Sequence, residues 1–430
     1  MLLRKETDPK DSDLEGENMY IEKVLTCKGL AGYFNKDLAA IKAGATPDGF
    51  TFRDRPLTPG FQAITQPGEA LSVMFLLTDH QVAYGDCLDV IFAGAAGRDR
   101  IFKAAEHQGW VERDVAAFLR GKPIGRFKEL AETLDSLEVS GQKLHTAVRY
   151  GISQALLDAT AKARHVTMAE VIASEYGCRI ASEPIPLLAL TTNEQRINID
   201  KMILKKVPYL PHGSTSNLQR DMGAKGEILI DYARWLVQRI NSLRDADYHP
   251  TIHLDVYGTI GEAFGMNMAE MANYIERLQK VCLPYPLMLE TPVIADSRER
   301  QIQLYGELLG ILKNRGIPVK IIADEWCNTL EDIRAFVQAR AADIVQIKTP
   351  DLGGIHNSIE AVLFCKGKGV GAYVGGTVNG TDQSAKVSAH IALASQADFL
   401  MAKPGQGVDE GLMIQYNEMQ RALTLIKNRK

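Results

Sequence analysis

Short apolar segments separated by helical stretches fill the second half of the chain. After residue 184 each apolar run is followed by a stretch in which apolar side chains recur at three- or four-residue steps. Alternation of this kind predicts parallel strands joined by helices. The eight runs are IPLLAL (185–190), MILKKVPYL (202–210), TIHLDVY (251–257), LMLE (287–290), VKIIADE (319–325), DIVQIK (343–348), GAYVGG (371–376) and ADFLMAK (397–403).

Eight strand–helix units are the number that a closed (β/α)8 barrel requires. An open doubly wound sheet would need a glycine-rich phosphate loop after its first strand, and IPLLALTTNEQ contains no such loop. The glycine-rich stretch at 367–376 precedes a predicted strand instead of opening a helix, so it does not fit a dinucleotide site. We therefore predict an α/β protein with a TIM-like (β/α)8 barrel over residues 184–430.

The first half of the chain has a different pattern, with strands followed by helices. Residues 69–93 read as two apolar strands around a polar turn at 78–80, which predicts a hairpin. Residues 112–175 have helical periodicity and good helix formers. Together these features predict an N-terminal α+β capping domain over residues 21–183, and residues 1–20 form a polar, acidic tail.

The composition excludes several classes of protein. Hydrophobic residues make up 46% and charged residues 24% of the 430 positions, as in ordinary globular proteins. The net charge is −4 and the basic residues are scattered, so we do not expect a nucleic acid partner. No stretch reaches the roughly 18 apolar residues that a membrane span needs. The polar N-terminus does not resemble a signal peptide, and the six cysteines form no C-x-x-C pair, so we expect a cytoplasmic protein with reduced cysteines.

Three consecutive predicted strands end in a carboxylate, and the next ends in a lysine. The residues are Asp255 in HLDVYG, Glu290 in LMLETP, Asp324 in IIADEWCN and Lys348 in VQIKTP. Side chains at the C-terminal ends of barrel strands converge on one mouth, where barrel enzymes have their active sites. A single strand-end acid is more often a helix cap or an ion-pair partner. Three in succession followed by a lysine predict a functional site.

This set of residues favours a magnesium site beside a catalytic base. Three converging carboxylates repel one another unless a cation lies between them, and an all-oxygen ligand set suits Mg²⁺. A lysine of lowered pKa beside the metal can remove a proton from the carbon next to a carboxylate, while the cation stabilises the resulting ene-diolate. Glu325 follows Asp324 and can orient the metal ligands without binding the metal itself. His253 precedes Asp255 by two residues, so it can face the same mouth.

Several segments resemble the methylaspartate ammonia-lyase family of the enolase superfamily, which consists of carbon–nitrogen lyases. The similar segments are HLDVYGTIG, ADEWCNT, VQIKTPDLGG, AYVGGT, AKPGQGVDEG, HTAVRYGISQALLDATA and AGAAGRD. The resemblance implies reversible conversion of 3-methylaspartate, a small dicarboxylate, to mesaconate and ammonia. It also implies Mg²⁺, a monovalent cation such as K⁺, and a homodimer.

The resemblance also implies roles for individual residues. It puts the metal on Asp255, Glu290 and Asp324, and a base acting on one face of the substrate's C3 at Lys348. It adds His212, in LPHGSTS, as an acid or base on the opposite face of C3. The substrate-binding residues that it implies are Gln346 for one carboxylate, and Thr377 and Val378, largely through backbone N–H groups, for the other.

Two further positions depart from the family pattern. Met74 in LSVMFLL and Leu190 in LLALTTN align with glutamines that surround the substrate's amino group, so we expect an apolar pocket there. A shifted alignment, or compensation by Thr191 or Thr192, is the alternative. The departure keeps other outcomes of the same proton abstraction open: loss of water from a 2-hydroxy diacid, loss of a substituted amine, or epimerisation. A non-catalytic barrel is the remote alternative.

Overall fold

The alternating half of the chain closes into an eight-stranded parallel barrel, which confirms the predicted fold class. A computed structural model describes residues 19–192 and 195–429, so most of the predicted tail (1–20) lies outside the described residues. Each barrel strand pairs with the next in chain order, and the eighth pairs with the first. The strands are β8 Leu187–Leu188, β9 Tyr209–Ser214, β10 Thr251–Asp255, β11 Leu287–Glu290, β12 Val319–Ala323, β13 Ile344–Ile347, β14 Gly371–Val374 and β15 Phe399–Met401.

Helices cover the outside of the barrel, so its strands are buried on both faces. Alternate residues such as Leu287 and Leu289 pack outward into the main core, while Met288 packs inside the barrel. The helices are α7 Arg196–Leu204, α8 Glu227–Leu243, α9 Thr259–Ala263, α10 Met268–Cys282, α11 Arg298–Asn314, α12 Leu330–Gln338, α13 Ile355–Gly367, α14 Asp382–Ser395 and α15 Glu410–Asn428, with a π-helical turn at Leu218–Met222.

The capping domain consists of a three-stranded antiparallel sheet and helices that cover one of its faces. In this sheet β4 (Thr65–Leu77) lies between β1 (Ile21–Lys36) and β5 (Val82–Cys87), and Val73 and Phe75 on β4 are fully buried on the covered side. The strands are β1 Ile21–Lys36, β2 Pro47–Asp48, β3 Thr51–Phe52, β4 Thr65–Leu77, β5 Val82–Cys87, β6 Glu138–Val139 and β7 Gln142–Lys143. The helices are α1 Leu38–Lys42, α2 Ala104–Trp110, α3 Ala116–Leu119, α4 Phe127–Asp135, α5 Thr146–Ala163 and α6 Met168–Tyr176, with a π-helical turn at Val111–Val115.

Two details differ from the sequence prediction. The predicted hairpin is present as β4 and β5, but β5 ends at Cys87. The strand β1, which pairs with the other edge of β4, was not predicted. The apolar run at 202–210 is not one strand, because Met202 and Ile203 are buried on α7 and β9 begins only at Tyr209. All six cysteines are free. Among the described helices, none combines the length and hydropathy that a membrane crossing requires.

Candidate metal centre and active site

Strand alternation turns the predicted site residues toward the mouth of the barrel. Met288 and Ile322 belong to the cluster of side chains inside the barrel, and Glu290 and Asp324 follow each of them by two residues. The ring of His253 likewise contacts Tyr373 and Phe399 inside the barrel, two residues before Asp255. Because the side-chain period of a strand is two, these carboxylates share the inward direction.

The structure brings Asp255, Glu290 and Asp324 together in one buried cluster. One oxygen atom from each lies within 4.8 Å of the other two. The side chains of Asp255 and Glu290 are inaccessible to solvent, and that of Asp324 is almost so. Asp255 Oδ2 and Asp324 Oδ1 are buried without a hydrogen-bond partner among the described residues. Buried oxygens of this kind, close together and unsatisfied, are what a hard divalent cation requires, so the residues fit Mg²⁺.

Glu290 is held by three donors from other strands of the barrel. Its Oε2 accepts hydrogen bonds from His253 Nε2 at 2.8 Å and Tyr373 Oη at 2.7 Å, and its Oε1 accepts one from Gln346 Nε2 at 2.6 Å. His212, His253 and Glu290 also have ligand atoms within 4.8 Å of one another. The His253 hydrogen bond already orients Glu290, as is usual behind metal ligands, so the all-oxygen cluster is the better candidate.

Lys348 lies against the third carboxylate. Its Nζ donates to Asp324 Oδ2 at 2.7 Å, and only 8% of the residue is exposed. Arg98, from the capping domain, lies on the other side with Nη2 3.9 Å from Asp324 and Nη1 3.6 Å from Glu325. The Arg98 Nε atom donates to Asp351 Oδ2 at 2.7 Å. Two cations therefore balance part of the negative charge at this end of the cluster.

His212 lies at the opposite end of the carboxylate cluster. Its Nε2 is 3.8 Å from Asp255 Oδ2 and 3.8 Å from Glu290 Oε1. Neither ring nitrogen has a hydrogen-bond partner among the described residues, although the residue is only 2% exposed. Lys348 contacts Asp324 and His212 approaches Asp255 and Glu290, so the two candidate bases flank the cluster from different sides.

Burial and mutual repulsion shift the acidities of the cluster. Burial, followed by the charge of neighbouring carboxylates, raises the pKa of Asp255 and Asp324 well above the usual range. Burial would also raise the pKa of Glu290, but the nearby imidazoles of His212 and His253 hold it well below its usual value. Without a metal, two carboxyls of the cluster therefore retain protons more readily than free aspartic acid does.

The pKa of Lys348 differs from the sequence expectation. Burial and Arg98 lower the pKa of Lys348, but Asp324, Glu325 and Asp351 outweigh them and hold it above the usual lysine value in the metal-free protein. The expected lowered pKa is therefore wrong for this state, because the charges of Asp324 and Glu325 act on the lysine without a cation to offset them. A cation on Asp324 would offset part of this negative charge.

A cavity of about 220 Å³ lies above the cluster, between the capping domain and the mouth of the barrel. Its polar lining includes His212, Gln346, Lys348 and Thr377. Its apolar lining comes from both domains and includes Phe50, Phe52, Ile91, Phe92, Leu190, Val378 and Met401.

The predicted substrate-binding residues fall into two groups. Gln346, Thr377, Val378 and Leu190 all line the cavity. Met74 is not among the lining residues, so its predicted place in the substrate pocket is wrong. It lies on β4 opposite Leu25 and Tyr84, with its side chain on the face turned away from the buried Val73 and Phe75.

The compensation considered for Leu190 is available from one threonine only. Thr192 lines the cavity. Thr191 is fully buried, and its hydroxyl accepts a hydrogen bond from Asn198.

Sequence reasoning missed three residues of the site. Ile91 lines the cavity from the segment between β5 and α2, and Arg98, farther along the same segment, reaches both the cavity and the carboxylate cluster. Tyr373, inside the barrel on β14, donates to Glu290. Arg98 lies in AGAAGRD, which the family resemblance had marked without a role. Tyr373 stands two residues before Gly375 and thus at an inward position.

Comparison with known proteins agrees with this architecture. Family models of the methylaspartate ammonia-lyase N-terminus and C-terminus match residues 19–177 and 179–428. Methylaspartate ammonia-lyase 2 of Carboxydothermus hydrogenoformans is 47% identical over 412 residues, covering 96% of this chain and 99% of the relative.

Two solved structures are similar over nearly the whole chain. The Mg complex of beta-methylaspartase from Clostridium tetanomorphum is 45% identical with a TM-score of 0.89, and 96% of this chain and 100% of that chain are covered. Methylaspartate ammonia lyase from Citrobacter amalonaticus containing (2S,3S)-3-methylaspartic acid is 44% identical with a TM-score of 0.92, and 95% and 100% are covered.

Proposed function

The chain belongs to the methylaspartate ammonia-lyase family, and from this membership we propose that it removes the C3 proton of a 3-substituted aspartate and eliminates ammonia reversibly. The observation that carries the proposal is the arrangement of Lys348 and His212. One contacts Asp324 at 2.7 Å, and the other approaches Asp255 and Glu290 at 3.8 Å. Two bases on different sides of a carboxylate cluster suit a reaction in which either C3 epimer loses its proton.

Mg²⁺ is the proposed cofactor, held by Asp255, Glu290 and Asp324. When bound, it would supply positive charge for the second negative charge that develops on the substrate carboxylate. Gln346, Thr377 and Val378 are proposed to bind the two carboxylates of the substrate, which is supported by their position in the cavity wall. A monovalent cation such as K⁺, a homodimer, a cytoplasmic location and a domain boundary near residue 184 remain predictions.

A direct assay tests the reaction. Incubation with Mg²⁺ and 3-methylaspartate is expected to produce the ultraviolet absorbance of a conjugated diacid, and excess chelator is expected to abolish it. Lys348→Ala and His212→Ala are each expected to slow C3 deuterium exchange, followed by NMR, mainly on opposite epimers. Lys320→Ala, at an exposed position of β12, is the control and should leave both rates unchanged. Full activity in chelator, or equal loss on both epimers, contradicts the proposal.

A second candidate substrate carries an apolar group on its amine. The family resemblance assigns Leu190 to the side of the cavity that faces the substrate's amino group, and Leu190 and Ile91 are apolar residues that line the cavity. A hydrogen bond to a charged group is worth about 1.5–3 kcal/mol, and an apolar wall cannot offer one to the N–H groups of a free amine. An N-alkyl substituent, in contrast, can pack against such a wall without leaving a polar group unpaired. The observation favours a substituted amine as leaving group over water, because neither Leu190 nor Ile91 can form a hydrogen bond with a hydroxyl group.

Leu190→Gln separates the two substrates. It is expected to raise kcat/KM for 3-methylaspartate relative to its N-methyl derivative by about 10-fold or more, given the hydrogen bond that the amide adds. Met74→Gln, which lies outside the cavity, is the matched control and should leave the ratio unchanged. A parent enzyme that strongly prefers the free amine, and that Leu190→Gln only impairs, rules out the substituted amine.

A further inference from the structure

Lys403 is a buried lysine that the reaction above does not use. It lies two residues beyond Met401, which packs inside the barrel and ends the last barrel strand. The residue is 1% exposed. Its Nζ donates to the carbonyl oxygen of Gly375 at 2.6 Å, and it forms no ion pair with a carboxylate among the described residues. Buried charges in proteins are almost always paired, so this arrangement requires an explanation.

The loop after β14, residues 375–380, folds closely around this ammonium group. A Cβ atom at Gly376 would lie 2.1 Å from Lys403 Nζ, and Gly376 has a φ of +99°, so only glycine fits there. A Cβ at Gly380 would lie 3.2 Å from Lys403 Cδ. The backbone N–H of Gly405 also donates to the carbonyl of Val378 at 2.9 Å. The segment that carries Lys403 therefore holds this loop at several points.

The opposite side of the same loop is part of the cavity wall. Gly376, Thr377 and Val378 all line the cavity, whereas Lys403 does not. The ammonium group thus lies on the far side of the backbone segment that faces the cavity. Burial lowers the pKa of Lys403 to about 7, since nothing charged offsets the loss of solvent. A carboxylate on the cavity side of the loop would supply the missing negative charge at close range.

We propose that Lys403 is a positioning residue, which fixes the loop 375–380 and sets a positive charge behind the N–H groups that receive one carboxylate of a dicarboxylate substrate. This inference rests on the proposed function for the identity of the substrate. Lys403 does not touch the substrate. Its effect should therefore appear in the binding of the second carboxylate and not in the chemical step.

Equilibrium binding to the full-length, Mg²⁺-loaded protein tests this role without turnover. The probes are mesaconate and tiglate, in which a methyl group replaces one carboxylate. Lys403→Met removes the charge and keeps the apolar stem. Lys403→Gln keeps a hydrogen-bond donor for Gly375 but no charge. Lys162→Met is the control, because Lys162 also donates to a backbone carbonyl, that of Val82 at 2.6 Å, in the capping domain.

Both Lys403 variants are expected to weaken mesaconate binding by about 10-fold or more, and tiglate binding much less, since the lost charge acts on one carboxylate. In turnover, KM should rise while kcat changes less than about 3-fold. Unfolding temperature and Mg²⁺ affinity must match the parent. If Lys403→Met does not meet that standard, Lys403→Gln carries the test.

The outcomes separate this inference from the proposed function. If the variants bind mesaconate as tightly as the parent does, or if only kcat falls, the role of Lys403 is overturned and the proposed function is not. Equal weakening of both probes also overturns it, because it indicates a general structural defect. A parent protein that binds no dicarboxylate overturns the proposed function and this inference together.

Discussion

Replacing Asp255 with Asn should make the metal-free protein more stable. Asp255 is fully buried, and its Oδ2 has no hydrogen-bond partner among the described residues. Its Oδ1 accepts from the backbone N–H of Tyr257 at 3.2 Å, which an asparagine oxygen can also accept. The substitution thus removes a charge from the carboxylate cluster without removing a protein hydrogen bond. Because the cluster fits a cation, stability and metal binding should change in opposite directions.

The size of the effect follows from the geometry. At 4.8 Å, the limiting separation of the ligand atoms, two ionised carboxylates repel by about 3.5 kcal/mol at an effective dielectric constant near 20. Asp255 faces two of them, but it can take up a proton instead. A carboxyl group with a reference pKa of about 3.9 that stays protonated at pH 7 costs about 4 kcal/mol relative to the unfolded chain. This cost is the upper limit of the destabilisation that Asp255 can cause. We therefore expect Asp255→Asn to add about 1–4 kcal/mol, or roughly 1–4 °C in Tm for a chain of 430 residues.

The pH dependence gives the sign of the effect. The pKa of Asp255 is raised in the folded state, so the folded protein binds more protons than the unfolded chain above about pH 4. Stability of the metal-free parent should therefore fall as the pH rises through this window. Asp255→Asn should flatten that dependence, and its advantage should shrink by about 1.4 kcal/mol per pH unit toward pH 5.

Thermal unfolding in chelator at pH 5, 6 and 7, with and without Mg²⁺, measures these quantities. Mg²⁺ at 100 times its Kd should stabilise the parent by about 2.7 kcal/mol and leave the variant unchanged. Asp37→Asn is a matched control, because Asp37 is equally buried but accepts several hydrogen bonds, so its replacement should destabilise. An Asp255→Asn protein that is less stable than the parent in chelator at pH 7 refutes the reasoning.

Two further predictions follow from the same cluster. Glu290→Gln should also abolish the Mg²⁺ response and turnover, but it should destabilise the metal-free protein by about 1–3 kcal/mol, because an amide cannot accept all the hydrogen bonds that converge on Glu290. Thermal unfolding of both variants in chelator should show Asp255→Asn to be more stable, and Glu290→Gln less stable, than the parent. Arg98→Met should destabilise by about 3 kcal/mol or more, because Asp351 and Glu325 lose a buried cation. A variant as stable as the parent in urea unfolding contradicts this.

The strand-end residues were predictable because barrel geometry repeats. A period of two along each strand and one strand per unit are enough to bring Asp255, Glu290 and Asp324 to one mouth. The run at 202–210 was misread because short apolar segments fit a buried helix as well as a strand. Met202 and Ile203 illustrate this, since both are buried on the helical side of that boundary.

Contacts between domains could not be predicted in the same way. Ile91 and Arg98 lie on capping-domain loops, and their approach to the barrel depends on how the two domains dock, which no local pattern encodes. The error at Met74 has the same origin. The segment was matched by sequence similarity alone, and only the folded structure shows which alternate residues of β4 are turned away from the buried face of its sheet.

The cavity wall is shared between two separately built parts of the chain, and this has a consequence for assembly. Phe50 and Ile91 come from the capping domain, while Leu190 and Met401 come from the barrel. A bound small molecule that touches all four acts as a non-covalent cross-link, so its binding free energy adds to the association of the domains. Proteolysis through transient separation of the domains should then slow in proportion to ligand saturation, including at cleavage sites far from the ligand.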